Sequence, residues 1–307
     1  MKKLILLPLI VLAFALNVHA QNTPHVLFIG IDGWAAKGIR DADPADIPNF
    51  TYLMQHGSWT LEKRSVMPSA SSINWTSMVC GLPTEMHGFD KWNSVRGTIP
   101  PVVDNGQGIP PTIFTILREQ RPDAVSGCLY DWDIIGSITD SLSMDFHRYV
   151  HSFTDKEVLV PMEEYTAIAT DYIKENKPDL FFLYYGIQDE AGHVKGWYGE
   201  EYMACQKWLD KCIGQIIEAL KEAGLWEDTV IVMTADHGGI NRGHGGFTIE
   251  EMESPFIVFG KGIRENHHID EPVIQYDTAA TIAYLLGLEI PSYWRGKPIT
   301  QVLCKCK

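Results

Sequence analysis

The chain is poor in several features that would place it quickly. Its six cysteines include no CxxC pair with the spacing of a metal-binding knuckle. Cys205 and Cys212 stand seven apart on a helical pattern, about 10 Å along the axis, too far for a mutual disulfide. Core packing is their expected role. Cys304 and Cys306 lie at the C-terminal end, where an oxidising compartment could link one of them to another thiol. Basic residues are scarce, with 25 Lys and Arg against 39 Asp and Glu and a formal charge of -14. Such a balance excludes the electrostatic footprint of a protein that grips nucleic acid polymers. Internal repeats, low-complexity tracts and linkers rich in Gly, Ser or Pro are missing as well, which points to one domain. Beyond residue 20 no apolar run approaches the roughly 20 residues of a membrane span, so no stable membrane anchor is expected.

The first twenty residues have the layout of a secretory signal. Lys2 and Lys3 precede an apolar run from Leu4 to Leu16, and Val18-His19-Ala20 offers small residues for cleavage before Gln21. Cleavage leaves residues 21 to 307, with the periplasm as the expected address, and takes away two lysines and no acid, moving the charge from -14 to -16. The residue immediately after the cleavage point is Gln21 and not a cysteine, so a lipid anchor there is not expected.

Apolar strand-like runs alternate with amphipathic segments along the rest. The runs are His25 to Ile31, Ala124 to Tyr130, Asp179 to Tyr185, Thr229 to Thr234 and Phe256 to Phe259. The helical patterns cover Ile47 to His56, Ile113 to Gln120, Val158 to Lys174 and Glu200 to Ala223. This alternation predicts a three-layer α/β sandwich with a mostly parallel central sheet flanked by helices. In such folds ligands gather where the strands end at their carboxyl edge.

Acids and imidazoles recur after those ends. Asp32 follows the first run, Asp189 and His193 the third, Asp236 and His237 the fourth, and His244 sits in a Gly-rich loop soon after. Asp and His are the oxygen and nitrogen ligands of zinc and similar divalent ions. The Asp189-x-x-x-His193 spacing puts both side chains on one side of a helical turn. Several such groups at successive strand ends would converge in space, and a cluster of that kind calls for cations. Between Pro68 and Gly81 a serine-rich stretch opens a helix, whose positive end attracts phosphate. There a serine is expected to cap the helix and a serine to attack, although the local pattern does not choose among Ser69, Ser71 and Ser72.

In this order, Asp32-Gly33, the Ser71 segment with Asn74 and Gly81, Glu85-x-His87-Gly88, Asp189-x-x-x-His193, Asp236-His237-Gly238 and His244-Gly245 resemble the alkaline phosphatase superfamily, and most closely its type I phosphodiesterase and nucleotide pyrophosphatase branch. The resemblance implies two divalent ions, zinc being the expected metal. Asp189, His193 and His244 would hold one, and Asp32, Asp236 and His237 with the Ser71 oxygen the other. It fixes Ser71 as the nucleophile, with a covalent phosphoserine-type intermediate, and suggests Asn93 as an amide donor to a phosphate oxygen.

Around the nucleophile the nucleotide-cleaving branch has Thr-Phe-Pro-Asn-His, whereas here Ser71-Ser72-Ile73-Asn74-Trp75 stands, without the aromatic that helps hold a base. Trp92 and Trp132 are candidates to stack on a substrate in its place. The expected substrate is a small phosphorylated molecule, more readily a diester than a monoester, because an amide at Asn93 suits a singly charged phosphate. A monoesterase would grip a dianion through Arg, for which Arg64, Arg96 and Arg242 are on offer. A phosphonate hydrolase, a sulfatase and a periplasmic binding protein are the competing readings; no obligate protein partner is implied.

Overall fold

The computed structural model describes residues 25–304, so the proposed signal, its Ala20/Gln21 cleavage point and Cys306 lie outside the described residues. Eight strands form one sheet: β1 (His25–Ile31), β2 (Ser58–Arg64), β3 (Ser126–Tyr130), β4 (Phe146–Tyr149), β5 (Leu180–Tyr185), β6 (Thr229–Thr234), β7 (Glu253–Gly260) and β8 (His267–His268). Their order is β4-β3-β5-β1-β6-β7-β2-β8. β1 pairs parallel with both β5 and β6, and β3 parallel with β4 and β5. β7 runs against both of its neighbours, β6 and β2, and so is the one reversed strand among the eight.

The sheet is buried on both faces, which is why its central strands read as continuous apolar runs. Along β1, Val26 and Phe28 join one core, and Leu27, Ile29 and Ile31 join the other. Helices Ser71–Cys80, Ile113–Gln120 and Asp277–Leu285 contribute to the first core. Helices Pro48–Gln55, Met162–Asn176 and Glu200–Glu222 contribute to the second. The expected three-layer sandwich is therefore present. Cys205 and Cys212 are buried and unbridged on the long helix, as packing residues.

Three strands were invisible to the periodicity. β2 carries Glu62, Lys63 and Arg64, yet Lys63 is wholly buried, its ammonium donating to the Ala235 carbonyl and to Gln275. β4 is four residues long and β8 two, too short to show a pattern. Helix Met162–Asn176 starts four residues later than its apolar pattern, because Pro161 takes the N-cap in extended geometry.

Candidate active site

β5, β1 and β6 lie side by side and end at one edge, so the residues after them meet. Asp32 follows Ile31 directly, and its amide donates to the Tyr185 carbonyl at 2.8 Å. The turn then needs Gly33, at φ +64°, where a Cβ would also collide with Asp189. That absence of a side chain lets the Gly33 amide reach Asp236 Oδ1 at 3.1 Å. From below, Lys63 and Ser65 hold the carbonyls of Ala235 and Asp236, and Gln275 donates to the latter. Asp189 and His193 project from the helix Ile187–Lys195 with Asp189 Oδ2 3.3 Å from His193 Nε2.

What the three serines touch sets Ser71 apart from its neighbours. Ser69 is engaged with the 245–246 backbone, donating to Gly246 and accepting from Gly245. Ser72 donates to the Ser94 carbonyl. Ser71 faces the acids, its Oγ 3.4 Å from Asp32 Oδ1 and 3.1 Å from His237 Nε2. The expectation of a serine cap is corrected: Ala70 is the N-cap, with no side-chain hydrogen bond, and Ser71 is the first helical residue. Asn74 shapes the approach instead. Its amide donates to the carbonyls of Val66, Pro68 and Ala70 and accepts from the Val66 amide, bending the segment into the helix.

Two clusters form: Asp189, His193 and His244, and Asp32, Asp236 and His237, each with ligand atoms within 4.8 Å of one another. They match the two sets expected from the sequence. Each imidazole turns Nδ1 to a backbone carbonyl, His193 to Arg242 at 3.0 Å, His237 to Gly238 at 2.7 Å and His244 to Ser69 at 2.9 Å. Since a carbonyl only accepts, Nδ1 carries the proton and Nε2 is aimed inward as a ligand atom.

The donor set fits divalent cations. Asp189 Oδ1 and Asp236 Oδ2, one in each cluster, are buried without a hydrogen-bond partner, an arrangement that is costly unless a cation meets them. Burial, then repulsion from Asp236 and Asp189, pushes Asp32 well above the usual carboxylate range. Burial and then Asp189 push Asp236 up to about 8. On Asp189 burial acts upward, but the hydrogen bond from His193 and the other imidazoles outweigh it and hold the carboxyl low. His193 rises to about 9, chiefly through that same bond, so a proton there takes the place of positive charge. His237 is pushed down to about 3 by burial and then by His244, which keeps it neutral and ligand-ready. Two dications would neutralise the acids and displace those protons.

Two further residues act on the cluster without having been singled out as ligands. Trp75 Nε1 donates to Asp32 Oδ2 at 2.8 Å, and the Tyr184 hydroxyl donates to the same oxygen. Oδ1 is thereby left toward Ser71. Gly30 makes this possible, since a Cβ there would overlap the Trp75 ring. The departure noted at Trp75 thus holds a carboxylate. His87, part of the matched motif, is structural: it is buried, bonded to Ser77 at 3.0 Å and to the Phe89 amide, and kept neutral by burial at about 3.

A cavity of about 730 Å³ opens over Ser71, and Trp92 and Trp132 are among its lining residues. Asn93 is not among them. Ser72 fixes the flanking Trp92 and Ser94 carbonyls toward the helix, and Asn93 sits exposed on the turn between. Arg64, Arg96 and Arg242 do not line the cavity either. Arg64 pairs with Glu253 at 3.1 Å, Arg96 packs near Gly108, and Arg242 presents its carbonyl to His193.

Residues 26–252 match the family described as Type I phosphodiesterase / nucleotide pyrophosphatase. The chain belongs to that family. Among its relatives, human bis(5'-adenosyl)-triphosphatase ENPP4 is 26% identical over 242 residues, 75% of this chain and 50% of that one. Mouse ectonucleotide pyrophosphatase/phosphodiesterase family member 1 is 23% identical over 232 residues, 71% of this chain and 24% of that one. The chain thus spans half or less of the length of these two relatives. In three dimensions it is similar to murine ectonucleotide pyrophosphatase/phosphodiesterase 5 in complex with AMP, with TM-score 0.71, 17% identity, and coverage of 91% of this chain and 100% of that one. A 2-O GAG sulfatase gives TM-score 0.70 at 15% identity, covering 92% and 74%. The fold is therefore shared by enzymes of different ester specificity, and membership comes from the family match.

Proposed function

We propose that this family member is a two-metal phosphoester hydrolase, acting on diesters, with Ser71 as nucleophile. The observation that carries the reading is the placement of the Ser71 hydroxyl at the N-terminus of a ten-residue helix, against Asp32 and His237 and beside a second, distinct ligand cluster. When bound, two divalent ions would supply Lewis-acid stabilisation of charge developing on the phosphate and on the attacking and departing oxygens.

The chain's own residues do the rest. Asp32, held by Trp75 and Tyr184, keeps Oδ1 next to the Ser71 hydroxyl. Ser71 Oγ attacks phosphorus in line, a phosphoserine ester forms as the first alcohol departs, and water then cleaves that ester and regenerates Ser71. The helix terminus favours the anionic centre throughout. Preference for a diester no longer rests on Asn93; it rests on a cavity whose lining includes Lys91 and no arginine, a poor grip for a dianionic terminal phosphate. Zinc suits the mixed Asp and His donors. Export to the periplasm by the N-terminal segment belongs to the same proposal.

The test is Ser71→Ala assayed on bis(p-nitrophenyl) phosphate, p-nitrophenyl phosphate and p-nitrophenyl sulfate, with metal content measured in parallel. Turnover of the diester should fall at least about 10³-fold in the variant, and the wild type should favour the diester over the other two esters. Wild-type turnover by the variant would refute nucleophilic catalysis at Ser71.

A further inference from the structure

One buried indole reaches every segment that carries a candidate metal ligand. Trp197 comes two residues after the helix Ile187–Lys195 and is buried, outside the cavity lining. Its ring stands edge-on to His193, with centroids 5.1 Å apart and planes at 84°, and lies 6.0 Å from His244 at 64°. Both imidazoles belong to one cluster. The indole Nε1 donates to the Gly33 carbonyl at 3.1 Å, one residue beyond Asp32 of the other cluster. The Trp197 backbone amide donates to the Asn241 carbonyl at 2.8 Å, in the turn that leads to His244. Two glycines make room for the ring. A Cβ at Gly192, next to His193, or at Gly239, two residues after His237, would overlap it. Neither glycine has a positive φ, so the close approach of the indole, and not backbone conformation, is what requires them. Behind the ring, 6.2 Å away between centroids, Tyr202 donates its hydroxyl to the same Gly33 carbonyl at 2.8 Å.

Two ions can clamp the attacking and leaving oxygens together only at a fixed spacing, about 3.5–4 Å. Here one ligand set stands on a helix and a Gly-rich loop and the other at two strand ends, so that spacing must be held between elements. A close-packed interior transmits position, and a rigid ring in contact with all four segments is placed to do it. We propose that Trp197 is a positioning residue that holds the two ligand clusters in register. This rests on the two-metal reading above and goes beyond it by naming the side chain that sets one site against the other. Trp75 and Tyr184 differ in kind, since both act on Asp32 alone.

The experiment titrates zinc into the metal-free chain against a chelator of known affinity. Trp197→Leu should weaken both binding steps by about tenfold or more, the range for groups that orient metal ligands. Trp197→Phe keeps a ring edge toward the imidazoles, loses the bond to Gly33 and should fall between Leu and wild type. Gly192→Ala approaches from the other side: alanine suits a helix better than glycine, yet its Cβ should displace the indole and weaken zinc. In the Trp197→Leu background the same change should have no further effect. At saturating zinc, Trp197→Leu should lower kcat on bis(p-nitrophenyl) phosphate severalfold with KM little changed, because the indole lies outside the cavity. A purely structural role would lower the melting temperature of the metal-free chain and leave both zinc steps where they were; that result would overturn the inference, as would weakening confined to one step. Should Trp197→Leu fail to fold, Trp197→Phe and Gly192→Ala decide by the same criteria. Fewer than two zinc ions bound by the wild type would sink the two-metal reading and the inference with it, whereas two ions bound unchanged in every variant would sink the inference alone.

Discussion

Tyr184→Phe removes one oxygen from the core and tests how this chain prepares Asp32 for the proposed metal site. The hydroxyl donates to Asp32 Oδ2, and burial with the nearby Asp32 charge holds it firmly in its protonated, donating form. Phenylalanine keeps the ring, its stack on Trp132 and its edge contact with Trp75, so packing changes little. What is lost is a hydrogen bond to a charged acceptor, worth about 1.5–3 kcal/mol. Trp75 still donates to the same oxygen at 2.8 Å, which argues for the lower figure. About 1.4 kcal/mol is tenfold in an equilibrium constant, so affinity for zinc at the Asp32, Asp236 and His237 cluster should drop roughly tenfold, within the range for outer partners of metal ligands. The sign follows from competition with protons: Asp32 already holds its proton too well, and losing a donor to its anion makes metal a weaker rival. Zinc titration against a chelator of known affinity reads the two clusters as two binding steps. Only one should weaken, and Trp75→Phe should weaken the same one. Unchanged zinc affinity in both variants, with thermal melts showing intact folds, would refute the idea that these donors prepare the site.

Other outcomes follow from the same contacts. Asn74→Ala deletes four hydrogen bonds around the Val66–Ala70 segment and should cost about 3–5 kcal/mol in urea unfolding, at roughly 1 kcal/mol each; a loss under 1 kcal/mol would show that the segment holds its shape unaided. Gly33→Ala meets both a positive φ and the Asp189 side chain, so it should destabilise by more than about 1 kcal/mol and depress activity even when saturated with zinc. Asp131, just after β3, is pushed from 3.8 to about 7 by burial, against donors from Gly186 and Ser152. Because its proton is held more tightly folded than unfolded, it favours folding less as pH rises from 3.8 through about 7, by on the order of 4 kcal/mol across that window. Asp131→Asn should flatten that part of the stability–pH curve, measured by denaturant titration; an unchanged slope would assign it to other groups.

Much of the scaffold could be read because its strands are buried on both faces and therefore keep unbroken apolar runs. β1 and β6 fall at the bounds their composition suggests, and the helix Ile113–Gln120 does too, ended by its own amphipathic pattern and opened by a Thr112 capping box. The two Asp and His clusters were legible for a similar reason: their members follow such strands, and Asp or His at a strand's carboxyl end is a local signal. Other parts depended on distant partners. Lys63 looks like a surface residue until Ala235 and Gln275 are brought over it. Trp75 and Tyr184 look like core aromatics, and nothing within either segment reveals that both point polar hydrogens at Asp32. Asn93 was placed by motif spacing alone, whereas it stands exposed on a turn tethered through Ser72, outside the cavity lining.

The central claim, attack on phosphorus by Ser71 followed by water, has a stereochemical consequence. Each in-line displacement inverts the configuration at phosphorus, so two in succession retain it. Hydrolysis of a phosphorothioate diester of known configuration in isotopically labelled water, with the product's configuration read by phosphorus NMR, should therefore show retention. Inversion would mean that water attacks the substrate directly and that Ser71 is not the nucleophile.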